Sequence, residues 1–180
     1  SVEKIAKKIG YVRESIFGGL WSFHSNQDKA DSAYTQEELR PHTDSTYSND
    51  APGLQLLLCC HYKATGGESI MVDGFKIAEK IKNEKKDIYD TLTNIEVTGQ
   101  YLGDGVSLKA KRPIFRLNSN RELIQVSFNN YDRAPFRMSE DKTIKFYESI
   151  REFDLIANSK EYQWRRVLKQ GELLIFNNWR

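Results

Sequence analysis

The chain of 180 residues has only two cysteines, three histidines, two methionines and four prolines. Its cysteines are adjacent, Cys59 and Cys60, so they build neither a disulfide framework nor a four-ligand zinc site, and the histidines supply no CxxC…HxxxH pattern. Such sparse cysteine fits a reducing compartment. Long hydrophobic runs are absent: the longest wholly apolar stretch is Leu56 to Cys60, against the roughly 20 residues that cross a bilayer, so no membrane partner is expected. Charge of one sign is not in excess. With 27 Lys and Arg against 25 Asp and Glu, the net charge of +2 creates no strong field for nucleic acid. Glycine and proline are too few, and the 39% hydrophobic content too high, for a low-complexity or disordered segment, and one globular domain is expected. An initiator methionine is also missing. Ser1 opens the chain and Trp179-Arg180 closes it just after a strand-like run, so it reads as an interior piece of a longer protein, with any targeting signal upstream.

What is present is a mixed pattern of helix and strand. Val2, Ile5, Ile9 and Val12 recur at helical spacing among charged residues, which predicts an opening amphipathic helix ending between Gly10 and Ser15. The aromatic and glycine-containing run Phe17 to Phe23 suits a strand or bulge, and Ser25 to Ser32 a polar loop. Leu54 to Tyr62 and Glu68 to Asp73 read as strands joined in a hairpin through Thr65-Gly66-Gly67. Asp73 is placed to cap a helix whose buried face carries Ala78, Ile81, Ile88 and Leu92. Strands are expected at Ile95 to Leu102, Pro113 to Leu117 and Leu123 to Phe128, the last two joined by the Asn118-Ser119-Asn120 turn. Ser139, Glu140 and Asp141 open a long helix with Phe146, Ile150, Phe153 and Ala157 inward. The chain returns to strand at Tyr162 to Leu168 and Glu172 to Phe176. Short strands with inserted helices, without regular βαβ alternation, point to a β-sandwich or jelly roll rather than a Rossmann fold.

The chemistry concentrates at Arg40-Pro41-His42-Thr43-Asp44-Ser45-Thr46-Tyr47. On an extended chain, side chains two apart share a face, so His42 and Asp44 present an imidazole and a carboxylate to one point, two-thirds of a 2-His-1-carboxylate iron triad. A polar strand end with His42 hydrogen-bonded to Asp44 explains the tripeptide equally well. His24 and His61 read as ordinary histidines, which leaves the third ligand outside this sequence. Phe17, Trp21, Tyr34 and Tyr47 offer either core packing or a box for a quaternary ammonium by cation–π attraction. Asp31 is either a counter-ion for a substrate amine or a solvated loop carboxylate. Thr65-Gly66-Gly67 and Asn129-Asn130-Tyr131-Asp132-Arg133 carry hydroxyl, amides and charges, and turn chemistry accounts for both.

Taken in order, Phe-Gly-Gly-Leu-Trp at 17 to 21, Ala-Tyr-Thr at 33 to 35, His-Thr-Asp at 42 to 44, Pro-Gly-Leu-Gln-Leu-Leu at 52 to 57, Thr-Gly-Gly at 65 to 67, Val-Asp-Gly-Phe at 72 to 75, Phe-Asn-Asn-Tyr-Asp-Arg at 128 to 133 and Asn-Trp-Arg at 178 to 180 resemble the γ-butyrobetaine and trimethyllysine hydroxylases. These are Fe(II)- and 2-oxoglutarate-dependent dioxygenases of carnitine synthesis. The resemblance implies an α+β, mainly β fold, a double-stranded β-helix (jelly roll) with inserted helices. Residues 1–180 would then be a partial catalytic domain, truncated at both ends, without the N-terminal domain and the C-terminal strands. It assigns His42 and Asp44 to iron with a third histidine beyond Arg180. It sets the backbone of Leu57 and the hydroxyl of Thr65 on the 2-oxoglutarate side, Trp21 and Tyr34 around the trimethylammonium group, and Asn129 at the substrate's polar end. Phe17 stands where the family usually has tyrosine.

Asp31 replaces an amide of the γ-butyrobetaine enzymes; an anion there suits the α-ammonium of an amino acid and repels a substrate ending only in carboxylate. The implied reaction is C3 hydroxylation of N6,N6,N6-trimethyl-L-lysine, consuming dioxygen and 2-oxoglutarate, with ascorbate supporting activity. Family habit adds a mitochondrial location and a homodimer. γ-Butyrobetaine hydroxylation, in the cytoplasm, is the first alternative; a non-catalytic scaffold binding a quaternary ammonium or a protein is the second.

Overall fold

The computed structural model describes residues 1–22, 38–103 and 105–180. Helix α1, Val2–Ile9, stops at Gly10, and its apolar side is only half-covered: no residue of it is buried. Among its described residues, the run after it forms no strand. Ser15 and Gly18 exchange a tight pair of backbone bonds, with Gly18 at φ 86°, a left-handed turn that glycine adopts without a Cβ penalty.

Strands β1, Leu54–Leu58, and β2, Ser69–Val72, follow, but they do not pair as a hairpin. Instead β1 pairs antiparallel with β8, Leu173–Asn177, and β2 with β7, Gln163–Arg166. The reason is length as well as partner choice. The connection after Leu58 is too long for a tight turn, and Cys59 continues the β1–β8 ladder by donating its N–H to Glu172 O at 3.0 Å. The Gly66-Gly67 turn, with both residues at positive φ, therefore lies within a loop.

Helix α2, Gly74–Glu84, begins as its sequence predicts: the Asp73 carboxylate accepts the N–H groups of Phe75 and Lys76 at 3.0 and 3.2 Å. The single helix expected there is two, since Lys85 at φ −142° breaks it before α3, Lys86–Asn94. Ile77, Ala78, Ile81 and Leu92 are buried, whereas Ile88, expected on the same face, is only half-buried. Next come β3, Glu96–Gly103, and β4, Val106–Pro113, paired over eight residues each, and β5, Phe115–Leu117, with β6, Leu123–Val126, closed by the turn at Asn118. Strand β4 is absent from the sequence reading, although Val106, Leu108 and Ala110 alternate with Ser107, Lys109 and Lys111. Helix α4, Glu140–Ala157, buries Phe146, Ile150, Phe153 and Ala157 as its spacing predicts. Ser139 precedes it and accepts Thr143 N–H with its backbone carbonyl rather than capping with its hydroxyl.

The core lies between α2, α3, α4 and the β5–β6 pair, centred on Phe115, Phe146, Ile77, Ile81 and Leu92. Phe115 packs on Phe153 and Tyr89 with ring centres 5.7 and 5.5 Å apart, and Phe153 on Phe128 at 4.8 Å. Helices occupy at least as much of the described chain as strands, so the fold is α+β in near-equal measure rather than mainly β. The four ladders, β1–β8, β2–β7, β3–β4 and β5–β6, are each two-stranded and antiparallel. No helix of the described residues is long and apolar enough to cross a membrane.

Candidate functional site

Residues 40–53 have no regular secondary structure, and every turn of this segment is tied to a distant part of the chain. Arg40 N–H donates to the Tyr131 hydroxyl at 3.2 Å, and its guanidinium pairs with Asp154 at 3.0 Å. Thr43 lies beside Phe128: its N–H donates to Phe128 O at 2.7 Å, and its Oγ1 accepts Phe128 N–H at 2.9 Å. Buried Asn178, just after β8, acts as a clamp. Its Oδ1 accepts Asp44 N–H at 2.8 Å, and its Nδ2 donates to Asp44 O at 3.2 Å and Pro52 O at 3.0 Å. The indole of Trp179 donates to Ala51 O at 3.0 Å. Ser45, at φ 58°, turns the chain back so that Thr46 and Tyr47 go inward while His42 and Asp44 remain at the rim. Thr46 is pressed against Gly99 of β3, where a Cβ would stand 2.6 Å from the Thr46 carbonyl.

His42 and Asp44 meet as the alternating side-chain argument predicts, with Nε2 3.3 Å from Oδ1. His42 Nδ1 lies 2.8 Å from Arg40 O. A carbonyl only accepts, so Nδ1 carries a hydrogen and Nε2 is the nitrogen directed at the carboxylate. Burial works to lower the His42 pKa; the hydrogen bond of Asp44, the Arg40 carbonyl and the charges of Asp44 and Asp132 outweigh it and raise the ring above its ordinary value. Burial works to raise Asp44; the bond and charge of His42 and a hydrogen bond from Gln55 hold it below the usual carboxylate range.

Both Nε2 and Oδ1 can therefore bond each other only through a cation, whether a proton on the ring or a metal ion. Two neighbouring donors about 2.1 Å from an octahedral ion stand about 3 Å apart, close to the observed separation. With Nδ1–H fixed on a backbone carbonyl, the arrangement that orients metal-ligating histidines is in place. These residues fit a ferrous ion as two of its ligands. Among the described residues, no third His, Cys, Asp or Glu completes a group of three. His61 is exposed in the loop after β1, and His24 lies outside the described residues.

The other expected site residues are distributed unevenly. Asn129 stands close by, in the turn that presses the Tyr131 ring edge-on to His42 at 6.0 Å. Its Nδ2 donates to Asp132 at 2.9 Å and its Oδ1 accepts Tyr131 N–H at 2.8 Å, so it also carries out the turn chemistry considered for this segment. Leu57 pairs with Leu174 in the β1–β8 ladder, on the same strand face as Gln55, which helps lower the Asp44 pKa. Thr65 is exposed beside Gly66-Gly67, where the Tyr62 hydroxyl donates to Gly66 O at 2.8 Å. Trp21, half-exposed, begins a row of rings: it packs on Phe17 at 5.9 Å, Phe17 on Tyr101 at 6.2 Å, and Tyr101 on buried Tyr47 at 5.2 Å. Asp31 and Tyr34 lie outside the described residues. Asn178, Gln55 and Tyr131 are site residues with no role in the sequence reading. All three sit within quoted segments, but only the fold shows what they touch.

The model of the taurine catabolism dioxygenase TauD, TfdA family matches residues 1–180. The chain belongs to this family. Among relatives, it is 37% identical to trimethyllysine dioxygenase of Meyerozyma guilliermondii over 99% of the chain and 46% of that protein. Two human members are nearly equidistant: mitochondrial trimethyllysine dioxygenase at 31% identity, covering 99% of the chain and 44% of that protein, and gamma-butyrobetaine dioxygenase at 30%, covering 99% and 47%. The chain thus spans less than half the length of the curated relatives it matches. Among solved structures, asparagine oxygenase in complex with Fe(II), 3-hydroxyasparagine and succinate superposes with a TM-score of 0.64 at 16% identity, over 82% of this chain and 44% of that one. The TauD, TfdA member described here shares that fold.

Proposed function

We propose that this chain is part of the catalytic domain of an Fe(II)- and 2-oxoglutarate-dependent dioxygenase that hydroxylates N6,N6,N6-trimethyl-L-lysine at C3, and that its strands belong to a double-stranded β-helix. The observation that carries this reading is the His42–Asp44 pair, held at metal-bridging distance by Arg40 O and Asn178. The jelly roll is supported by the nested outer ladders, β1 with β8 around β2 with β7. Substrate choice is supported by the Meyerozyma relative and by Asp31, whose carboxylate suits an α-ammonium.

When bound, iron with 2-oxoglutarate supplies an oxidant made from dioxygen, with succinate and carbon dioxide as co-products. The chain's own residues bind and orient. His42 and Asp44 supply two ligands, and a third histidine completes the set from beyond Arg180. The backbone of Leu57 and the hydroxyl of Thr65 receive 2-oxoglutarate. Trp21 and Tyr34 face the trimethylammonium group, Asp31 pairs with the α-ammonium and Asn129 with the carboxylate, so that C3 is the carbon presented. Ascorbate sustains turnover, the protein is a mitochondrial homodimer, and its partners are this amino acid and dioxygen.

The test is 2-oxoglutarate turnover and product analysis on the full-length protein. Trimethyllysine should yield the 3-hydroxy product in preference to γ-butyrobetaine, and Asp31→Asn should weaken trimethyllysine selectively. A preference for γ-butyrobetaine overturns the substrate. No turnover with either leaves only the ligand-binding scaffold.

A further inference from the structure

A narrow cleft between the β3–β4 pair and the segment after β6 is lined by Thr46, Gly99, Arg112, Ser127, Asn129 and Arg133. Arg112 is the unusual member. It is 8% exposed, its Nη2 donates to Ser48 O, and its Nη1 is buried without a partner. A buried cation with an unused donor is destabilising unless an anion meets it. No carboxylate pairs with Arg112 in the described residues; the charge that acts on it is Arg116, which adds to burial in lowering its pKa. Arg133, the other cation of the cleft, is engaged with Asn130 at 2.7 Å and with the Tyr147 ring at 5.4 Å.

Two links run from the cleft lining to the iron-ligand candidates. Thr46 is two residues after Asp44, and Asn129 binds Asp132, whose charge acts on His42. Asn129 Nδ2 has a second hydrogen beyond the one given to Asp132, and buried Ser127 is part of the same lining. The geometry points to an anion subsite in which Arg112 Nη1, with Ser127 and Asn129, receives the carboxylate of the substrate. This rests on the amino-acid substrate proposed above and adds a specificity residue to it. Arg112 would make the carboxylate, as well as the trimethylammonium group, a condition of binding.

The experiment measures binding of trimethyllysine and of its carboxamide, which lacks the negative charge, to full-length wild type, Arg112→Gln and Arg112→Lys. Gln keeps a donor for Ser48 O but no charge. In wild type the acid should bind at least about tenfold more tightly than the amide, the range for a hydrogen bond to a charged group; Gln should close this gap and Lys should keep part of it. A wild type that binds both equally, or a gap that survives in Arg112→Gln, overturns the subsite. A merely structural Arg112 weakens both ligands alike and leaves the gap intact. Where trimethyllysine does not bind the wild type at all, the substrate reading falls and acetate decides the subsite: a Tm rise with acetate in wild type that is lost in Arg112→Gln upholds it, and equal responses overturn it.

Discussion

The helical core and the 40–53 segment are held together by different physics. In the core, α2, α3, α4 and β5–β6 bring side chains such as Phe115, Phe146 and Leu92 to zero exposure, and the stabilising term is apolar area removed from water. The 40–53 segment has almost no apolar burial apart from Tyr47 and Ala51, and is fixed by hydrogen bonds to Phe128, Tyr131, Asn178 and Trp179, far along the chain. Apolar burial is concentrated in one region and the candidate metal ligands in the other. A rim segment positioned by directional bonds can keep polar ligands at the surface, which an apolar core cannot do without a desolvation cost.

This division sets four expected outcomes in the full-length protein. The largest is Phe115→Ala, which removes a ring packed on Phe153 and Tyr89 and should cost about 3–5 kcal/mol in urea unfolding. Iron affinity in the protein that stays folded should change little; a loss of iron binding as large as the loss of stability would erase the distinction between the regions. Asn178→Ala inverts the pattern. It leaves Asp44 N–H and the carbonyls of Asp44 and Pro52 without their partner, a cost of about 1–3 kcal/mol, and should weaken Fe(II) binding about 10–100-fold as a lost orienting contact. Calorimetric titration reads both.

Gly99→Ala probes the seam where β3 meets Thr46. The new methyl cannot fit 2.6 Å from backbone atoms without moving them, and overpacking of this kind costs about 1–3 kcal/mol. Crystallography of the variant should show residues 45–47 displaced and the α2–α4 core unmoved. The smallest effect concerns Asp73. Burial works to raise its pKa, but Arg180 and the N–H groups of Lys76 and Phe75 lower it below the usual value. Its contribution is therefore present above the ordinary carboxylate pKa and lost as pH falls through the lower folded-state value. Asp73→Asn retains a cap but loses the Arg180 pair. With both side chains more than a third exposed, the difference from wild type should be about 0.5–1 kcal/mol at neutral pH, shrinking in acid. A gap that grows as pH falls contradicts this assignment.

The core was legible because helical periodicity is local: Ala78, Ile81 and Leu92, and then Phe146, Ile150, Phe153 and Ala157, are buried where their spacing predicts. The break at Lys85 was not legible, since neither proline nor glycine marks it. Strand positions were mostly readable, but strand partners were not. Ladder bonds are made by backbone groups common to all residues, so β1 with β8 and β2 with β7 are settled by chain path and packing rather than by residue type. At the site, the two-residue spacing of His42 and Asp44 was sufficient to predict that they share a face.

What the sequence determined by itself is therefore the chemistry on offer and the family, through ordered short segments from Phe17 to Arg180. The tertiary structure decided which atoms surround it: Arg40 O that fixes the imidazole tautomer, Asn178 that clamps Asp44 from 134 residues away, and Arg112, a cleft-lining residue whose Nη1 is buried without a partner. Each of these depends on distance and direction between remote groups. Only the folded chain, with its long-range backbone pairing and its buried charge, specifies those quantities.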